Sequence, residues 1–179
     1  MSTGTRTTEP TSSDGLISGE QSIELLAGQH PNGEQIVERL LVSAEAASEE
    51  GQPSYRLLKS PLFVRGIARG DIIAKLAQPK GAFTVLQNGG NLCIRVFCKG
   101  SIDALEQSLT PALEKLDGDL DVQEPAALVY SIHVSSGFTA IEKILNDEVH
   151  GDAAWFYGNV YDPTSGEPLN WWQSILAPE

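Results

Sequence analysis

The chain has 179 residues, 41% of them hydrophobic, which suits one domain or two very small ones and is enough apolar material for a core. Its net charge of −12, from 24 acidic and 12 basic side chains, speaks against a nucleic-acid-binding protein. No apolar run is long enough to span a membrane, and the opening MSTGTRTTEPTSSDG lacks a basic stretch followed by an apolar one, so neither a membrane span nor a secretory signal is expected and the cytoplasm is the expected compartment.

Residues 1–30 are rich in Ser, Thr, Gly and Glu and read as a mobile leader. Within it, Ile23, Leu25 and Leu26 form a short apolar cluster able to dock on the body or form a brief helix. His30-Pro31-Asn32-Gly33 reads as a turn. Residues 34–44 fit a helix through Ile36, Leu40 and the Val37/Leu41 pair, and equally a strand through their β-branched content. A polar, acidic loop follows, then a short strand at 55–59.

Residues 60–76, SPLFVRGIARGDIIAKL, are the most distinctive stretch. Pro61 lacks the N–H that a central strand needs and suits an edge or a strand start. Gly66 and Gly70-Asp71 mark the corner of a β-unit, and Ile72 to Leu76 continue as a strand. Residues 83–87 and 92–97 are the clearest strands, and Asn88-Gly89-Gly90-Asn91 between them signals a hairpin. On the second strand Leu92, Ile94, Val96 and Cys98 share one face. Cys93, Arg95, Phe97 and Lys99 share the other, and the two cations predict a partly wet face.

Ser101 is a helix N-cap, followed by Ile102, Leu105, Leu109, Leu113 and Leu116 at helical spacing. Pro111 should kink or split that helix, and Gly118 should stop it. Residues 127–134 form the next strand. A second helix carries Phe138, Ile141, Leu145 and Val149 and ends at His150-Gly151. Residues 153–161 are a last aromatic strand, closed by a turn at 162–166, before a tail bearing Trp171 and Trp172.

These elements predict an α+β fold with one domain over residues 31–162. It comprises a small β-rich unit at 34–77 joined to a ββαβαβ half at 83–162, whose mixed sheet is covered by two helices on one face. Right-handed crossovers place 92–97 parallel to 127–134. Residues 163–179 are a Trp-containing tail.

Two pieces carry a resemblance. One is Pro61-Leu62-Phe63, Gly66 and Gly70-Asp71-Ile72-Ile73 with the hairpin and strand that follow. The other is the helix–strand–helix ending in Gly151-Asp152-Ala153-Ala154-Trp155-Phe156-Tyr157. Together they resemble a bacterial family of small cytoplasmic proteins of unknown function with a proline–aromatic–Gly-Asp β-segment, over roughly residues 34–162. The resemblance implies a fold and a compartment, and no catalytic residues.

No cofactor or metal site is expected. Asp117, Asp119 and Asp121 begin like a calcium loop, but Val122 and Leu128 occupy the positions where an EF-hand needs Gly and Glu. His30, His133 and His150 are scattered and lack local partners. Ser135-Ser136-Gly137 is not in a nucleophile-elbow frame, and no Gly-rich phosphate loop is present. Cys93 and Cys98 point to opposite faces and cannot bridge, which leaves a buried Cys98 and a Cys93 near the other face, both reduced.

Charge is unevenly distributed. Within 56–99, eight cations face Asp71 alone, while both flanks are acidic. Asp117, Asp119, Asp121, Glu124, Asp147, Glu148 and Asp152 are expected to form an acidic face that steers a basic protein, with Trp171 and Trp172 as an exposed anchor; the competing reading is an acidic surface that serves solubility, with both tryptophans folded back onto the body. The expected function is therefore non-catalytic protein binding, of the acidic immunity type that neutralises a basic toxin such as a nuclease. The alternative is a small-molecule or nucleic-acid module using Arg65, Arg69 and Asp71.

Overall fold

The computed structural model describes residues 20–177. Positions 1–19 of the expected leader lie outside the described residues. The remainder of that leader is strand. Ile23 and Leu25 alternate with Ser22, Glu24 and Leu26, and that two-residue period builds β1 (Glu20–Gln29) with the isoleucine and Leu25 buried. The turn at 30–34 leads into β2 (Gln35–Glu45), which settles the helix-or-strand alternative for 34–44 as strand.

β3 (Ser54–Leu57), β4 (Ile72–Lys75) and β5 (Phe83–Gln87) complete the first sheet, in the order β1-β2-β3-β4-β5, each strand antiparallel to the next. The sheet curls until its ends meet, where the Leu26 N–H donates to the Gly81 carbonyl at 2.8 Å. Its concave side encloses Leu25, Leu40, Val42, Leu57, Val64, Ile67 and Ile73.

The second sheet has the order β7-β8-β6-β9, with β6 at Asn91–Cys98, β7 at Asp119–Glu124, β8 at Ala127–His133 and β9 at Ala153–Tyr157. α1 (Asp103–Glu114) follows β6 and α2 (Phe138–Glu148) follows β8, a split β-α-β arrangement repeated twice. Both helices cover one face, where Leu109, Leu113, Ile141 and Leu145 meet Leu92, Ile94, Val96, Leu128, Tyr130 and Ile132. The buried Tyr130 hydroxyl is paired with Thr110 Oγ1 at 2.7 Å. The α+β class and the two helices on one face are as expected. No helix among the described residues is long and apolar enough to cross a membrane.

Several expectations are overturned. Residues 119–124 are a strand that pairs with β8 around a bulge, which turns Leu120 to the helix-side core and Val122 to the opposite face. This additional strand reverses the chain, so β6 and β8 run antiparallel and the second sheet is not mixed. The segment 88–91 is not a hairpin: β5 and β6 belong to different sheets, and these four residues carry the chain from one to the other. α1 passes through Pro111 unbroken. The left-handed residue after it is Asp117 (φ 61), while Gly118 is small because a Cβ there would lie 2.9 Å from the Leu113 carbonyl oxygen. Cys93 is the sealed thiol and Cys98 the half-buried one.

Of the two readings of the tryptophan tail, the folded-back one holds and the exposed anchor does not. Trp171 and Trp172 fold back on the second core at the start of a short helix, α3 (Trp172–Leu176). The Trp171 indole donates to the Asn159 carbonyl at 2.8 Å, and Trp172 meets Phe138 edge-on at 5.3 Å. Burying these large indoles against the core offsets the cost of ordering the tail.

The crossing at 88–91 is tight. A Cβ on Gly89 would lie 2.5 Å from the carbonyl carbon and 2.6 Å from the oxygen of Gly70, both main-chain atoms that cannot move aside. Gly89→Ala is expected to destabilise the fold by about 2–3 kcal/mol in urea unfolding, as overpacking against rigid atoms does. Gly100→Ala, which meets nothing within 4 Å, should cost far less. Equal effects of the two substitutions would contradict the crossing.

Candidate functional site

Between β3 and β4 the chain runs irregularly through residues 58–71, the distinctive stretch of the sequence, and it is wedged between the two sheets. Ser60, Val64, Ile67, Ala68 and Asp71 are all at most 1% exposed. A buried segment without regular structure must find partners for its main-chain groups elsewhere. Here side chains provide them. The Glu38 carboxylate of β2 accepts from the N–H groups of Leu62, Phe63 and Val64 at 2.7–2.9 Å. From the other side, the Arg95 guanidinium of β6 donates to the carbonyls of Pro61, Phe63 and Val64. Gly158 makes room for it, since a Cβ there would fall 2.9 Å from Arg95 Nε. The Gly66 N–H reaches the Gly158 carbonyl at 2.9 Å, tying the segment to the end of β9.

The residues expected to bind a ligand are spread among different tasks. Asp71 is buried and accepts from the N–H groups of Ala68 and Gly89 at 2.9 and 2.7 Å. Arg69 is ion-paired with Asp119 and Asp121. Arg65 is exposed and enters none of the ion pairs among the described residues.

The acidic residues do not form one face. Asp121 is turned inward, 4% exposed, and accepts from the Ser60 N–H, the Ser131 hydroxyl and Arg69. With Asp117 and Asp119 it lies where β7 begins. Glu124 lies where β7 ends, at the end of the sheet where β9 starts, but on the opposite edge from Asp152, with β8 and β6 between them; Asp147 and Glu148 close α2. Asp147 is paired with Lys143 across one helical turn. The basic middle and acidic flank thus partly neutralise each other inside the molecule.

The sequence reading missed the cleft that this arrangement leaves. A cavity of about 790 Å³ opens on the face of the second sheet opposite the helices; Phe63, Arg65, Arg95, Phe97, Phe156 and Tyr161 line it. Phe63, Phe156 and Tyr161 are 52%, 55% and 53% exposed. Phe97 and Phe156 pack on each other at 6.3 Å from neighbouring strands. The signal was present in the alternation. On β6 and β9 the residues facing the helices include Val96, Trp155 and Tyr157, which leaves Phe97 and Phe156 on a face with no helix to cover them. Arg95, expected on a partly wet face, is only 7% exposed.

Reactive groups are sequestered. Burial pushes the Cys93 thiol up to about 11, although Arg95 opposes the shift. His133 Nδ1 accepts from the Ser135 N–H at 3.1 Å and caps a short turn. Among the described residues no group of His, Cys, Asp and Glu side chains could hold a metal ion.

Burial pushes the Asp71 carboxyl up from 3.8 to about 6, against the two N–H bonds that pull it down. Because its folded value lies above its unfolded one, the folded chain holds a proton that the unfolded chain has released between those values. The contribution of Asp71 to stability is therefore fully present below about pH 4 and lost as pH rises through about 6. Asp71→Asn is expected to destabilise at every pH, because its amide group must turn a donor towards one of the two N–H groups. The deficit relative to the wild type should be larger at about pH 4 than at neutral pH in urea unfolding. A deficit that grows with pH would contradict this.

The crystal structure of a hypothetical protein from Neisseria gonorrhoeae shares the fold with a TM-score of 0.58, at 16% sequence identity, over 78% of this chain and 94% of that one. No curated protein matches the sequence. A family model, described as a domain of unknown function (DUF4265), matches residues 42–156. The matched span contains the wedged segment, the whole second sheet through Phe156, and the cleft residues Phe63, Arg65, Arg95 and Phe97; Tyr161 and the 162–166 turn lie beyond it. With more than half of its length matched, the chain belongs to the DUF4265 family.

Proposed function

We propose that the protein is a non-catalytic protein-binding module and that its contact surface is the aromatic cleft rather than the tryptophan tail. The observation that carries this reading is the ring of half-exposed aromatic side chains, Phe63, Phe156 and Tyr161, around an arginine without an ion-pair partner. Aromatic residues and arginine are the types enriched at the centres of binding interfaces, where each buries a large area at small conformational cost. The sealed Cys93 and the capping role of His133 support a role without catalysis.

The partner is a protein of basic overall charge, which the −12 net charge would steer towards this molecule, and an immunity-type inhibitor of a basic toxin such as a nuclease is the form such a module would take. Steering comes from the overall charge and from the end of the second sheet that carries Glu124, Asp147, Glu148 and Asp152. A second reading, small-molecule binding, is favoured by the volume of the cavity. Of the residues expected to serve it, only Arg65 lines that space.

The test is affinity purification from the source organism with the wild type and with Phe63→Ser/Phe156→Ser/Tyr161→Ser. The expected result is a basic protein recovered with the wild type and lost with the triple variant, whose unfolding temperature stays close to that of the wild type because all three side chains are half exposed. Recovery of the same partner with both proteins would place the contact elsewhere.

A further inference from the structure

β9 is an edge strand: it pairs with β6 and with no other strand among the described residues. The direction of its main-chain groups follows from the ladder. The Gly158 N–H donates to the Cys93 carbonyl at 2.7 Å, which makes Cys93 and Gly158 a hydrogen-bonding pair. In an antiparallel ladder such pairs alternate, so Arg95–Phe156 and Phe97–Ala154 are the next two. On the other side of β6, the Val134 N–H to Gly90 carbonyl and Cys98 N–H to Ala126 carbonyl bonds place the even-numbered residues of β6 towards β8, consistent with that parity. The main-chain N–H and C=O groups of Trp155 and Tyr157 therefore point away from the sheet. None of the hydrogen bonds among the described residues engages them.

Exposed edges are ordinarily protected by charge, proline or a bulge. β7, the opposite edge, carries Asp119, Asp121, Glu124 and a bulge. β9 reads Ala-Ala-Trp-Phe-Tyr and has none of these devices. β5 is also uncharged, but it borders the acidic 45–50 loop. β9 borders the aromatic cleft, with Phe156 on the cleft side and Arg65 across from it.

We propose that β9 receives an extended segment of the partner protein by strand addition, and that this segment directs alternate side chains into the cleft. The segment has apolar residues at those alternate positions, to cover Phe63, Phe97 and Phe156, and one carboxylate among them to meet Arg65. This deepens the protein-binding reading and rests on it. Main-chain pairing with Trp155 and Tyr157 supplies affinity that is insensitive to sequence, and the cleft supplies selectivity. The carboxylate is argued from charge: Arg65 is exposed without an ion-pair partner, and the guanidinium of Arg95 in the cleft wall is matched by carbonyls alone.

The test begins with a phage-displayed library of short linear peptides selected on the full chain. The expected consensus alternates apolar residues with a fixed Asp or Glu. A synthetic peptide of that sequence should protect the Trp155 and Tyr157 amides from hydrogen exchange. N-methylation of every second peptide amide in one parity should weaken binding by at least about tenfold, and in the other parity should leave it nearly unchanged. Arg65→Glu should weaken it by about tenfold or more, and replacing the peptide's acidic residue with Lys should restore part of the loss. Peptides selected without an acidic position, N-methylation effects independent of parity, or no enrichment at all would overturn the proposal. Selected peptides that need Phe63, Phe156 and Tyr161 but leave both amides unprotected would overturn strand addition and leave the protein-binding reading standing.

Discussion

A buried, irregular main chain is the constraint on which this structure depends. Residues 58–71 connect two neighbouring strands of one sheet, yet they pass between both sheets, where much of their main chain is shielded from water and no ladder is available. Each main-chain group left unpaired there would cost about 1–3 kcal/mol. Two opposite charges supply the partners. Glu38, from the first sheet, gathers three successive N–H groups, and Arg95, from the second, gathers three carbonyls within the same few residues. Charged partners form hydrogen bonds roughly twice as strong as neutral ones, so few side chains suffice. Asp121 holds the Ser60 N–H near β3, and Asp71 and Asn91 complete the segment towards β4.

The same arrangement unites the fold and shapes the cleft. The two sheets enclose separate apolar cores, one inside the curl of the first sheet and one under the helices. What joins them is the wedged segment, with a small cluster of Ala68, Cys93 and Val129 between. Because the segment covers only part of the second sheet's open face, Phe97 and Phe156 remain uncovered beside it. Phe63 and Arg65, on the segment itself, are presented over that surface by the bonds that fix their neighbours. The rigidity of the clamp and the geometry of the cleft thus have one cause. The family match covers Arg95, the wedged segment and most of the cleft, while Glu38 lies before it.

The sequence disclosed what depends on local patterning. The strands at 83–87 and 92–97, both long helices, and the glycines at 66 and 70, which have φ 87 and 91, all follow from period or from turn chemistry. β7 was hidden because a bulge sends Leu120 and Val122 to opposite faces, so the two apolar residues among acidic ones read as an acidic turn. The role of Asp121 was hidden for a related reason: its partners, Ser60 and Arg69, lie more than 50 residues away, and bonds from side chain to distant main chain leave no periodic trace. Arg95 misled in the same way. A cation on a strand signals water, and only the three-dimensional path of residues 61–64 turns that position into a dry one. The tryptophans show the converse, since a terminal aromatic pair is consistent with either an anchor or a docked tail until Asn159 and Phe138 are found beside it.

The central claim is that Glu38 and Arg95 act on one segment as a pair. A double-mutant cycle on folding stability, with Glu38→Gln, Arg95→Lys and the two combined, measures this directly. Once either grip is released the segment loosens and the other grip is worth less. The combined variant is therefore expected to fall short of the sum of the single losses by about 1 kcal/mol or more. Losses that add to within about 0.5 kcal/mol would mean that the two side chains serve the two sheets independently, and would contradict the account.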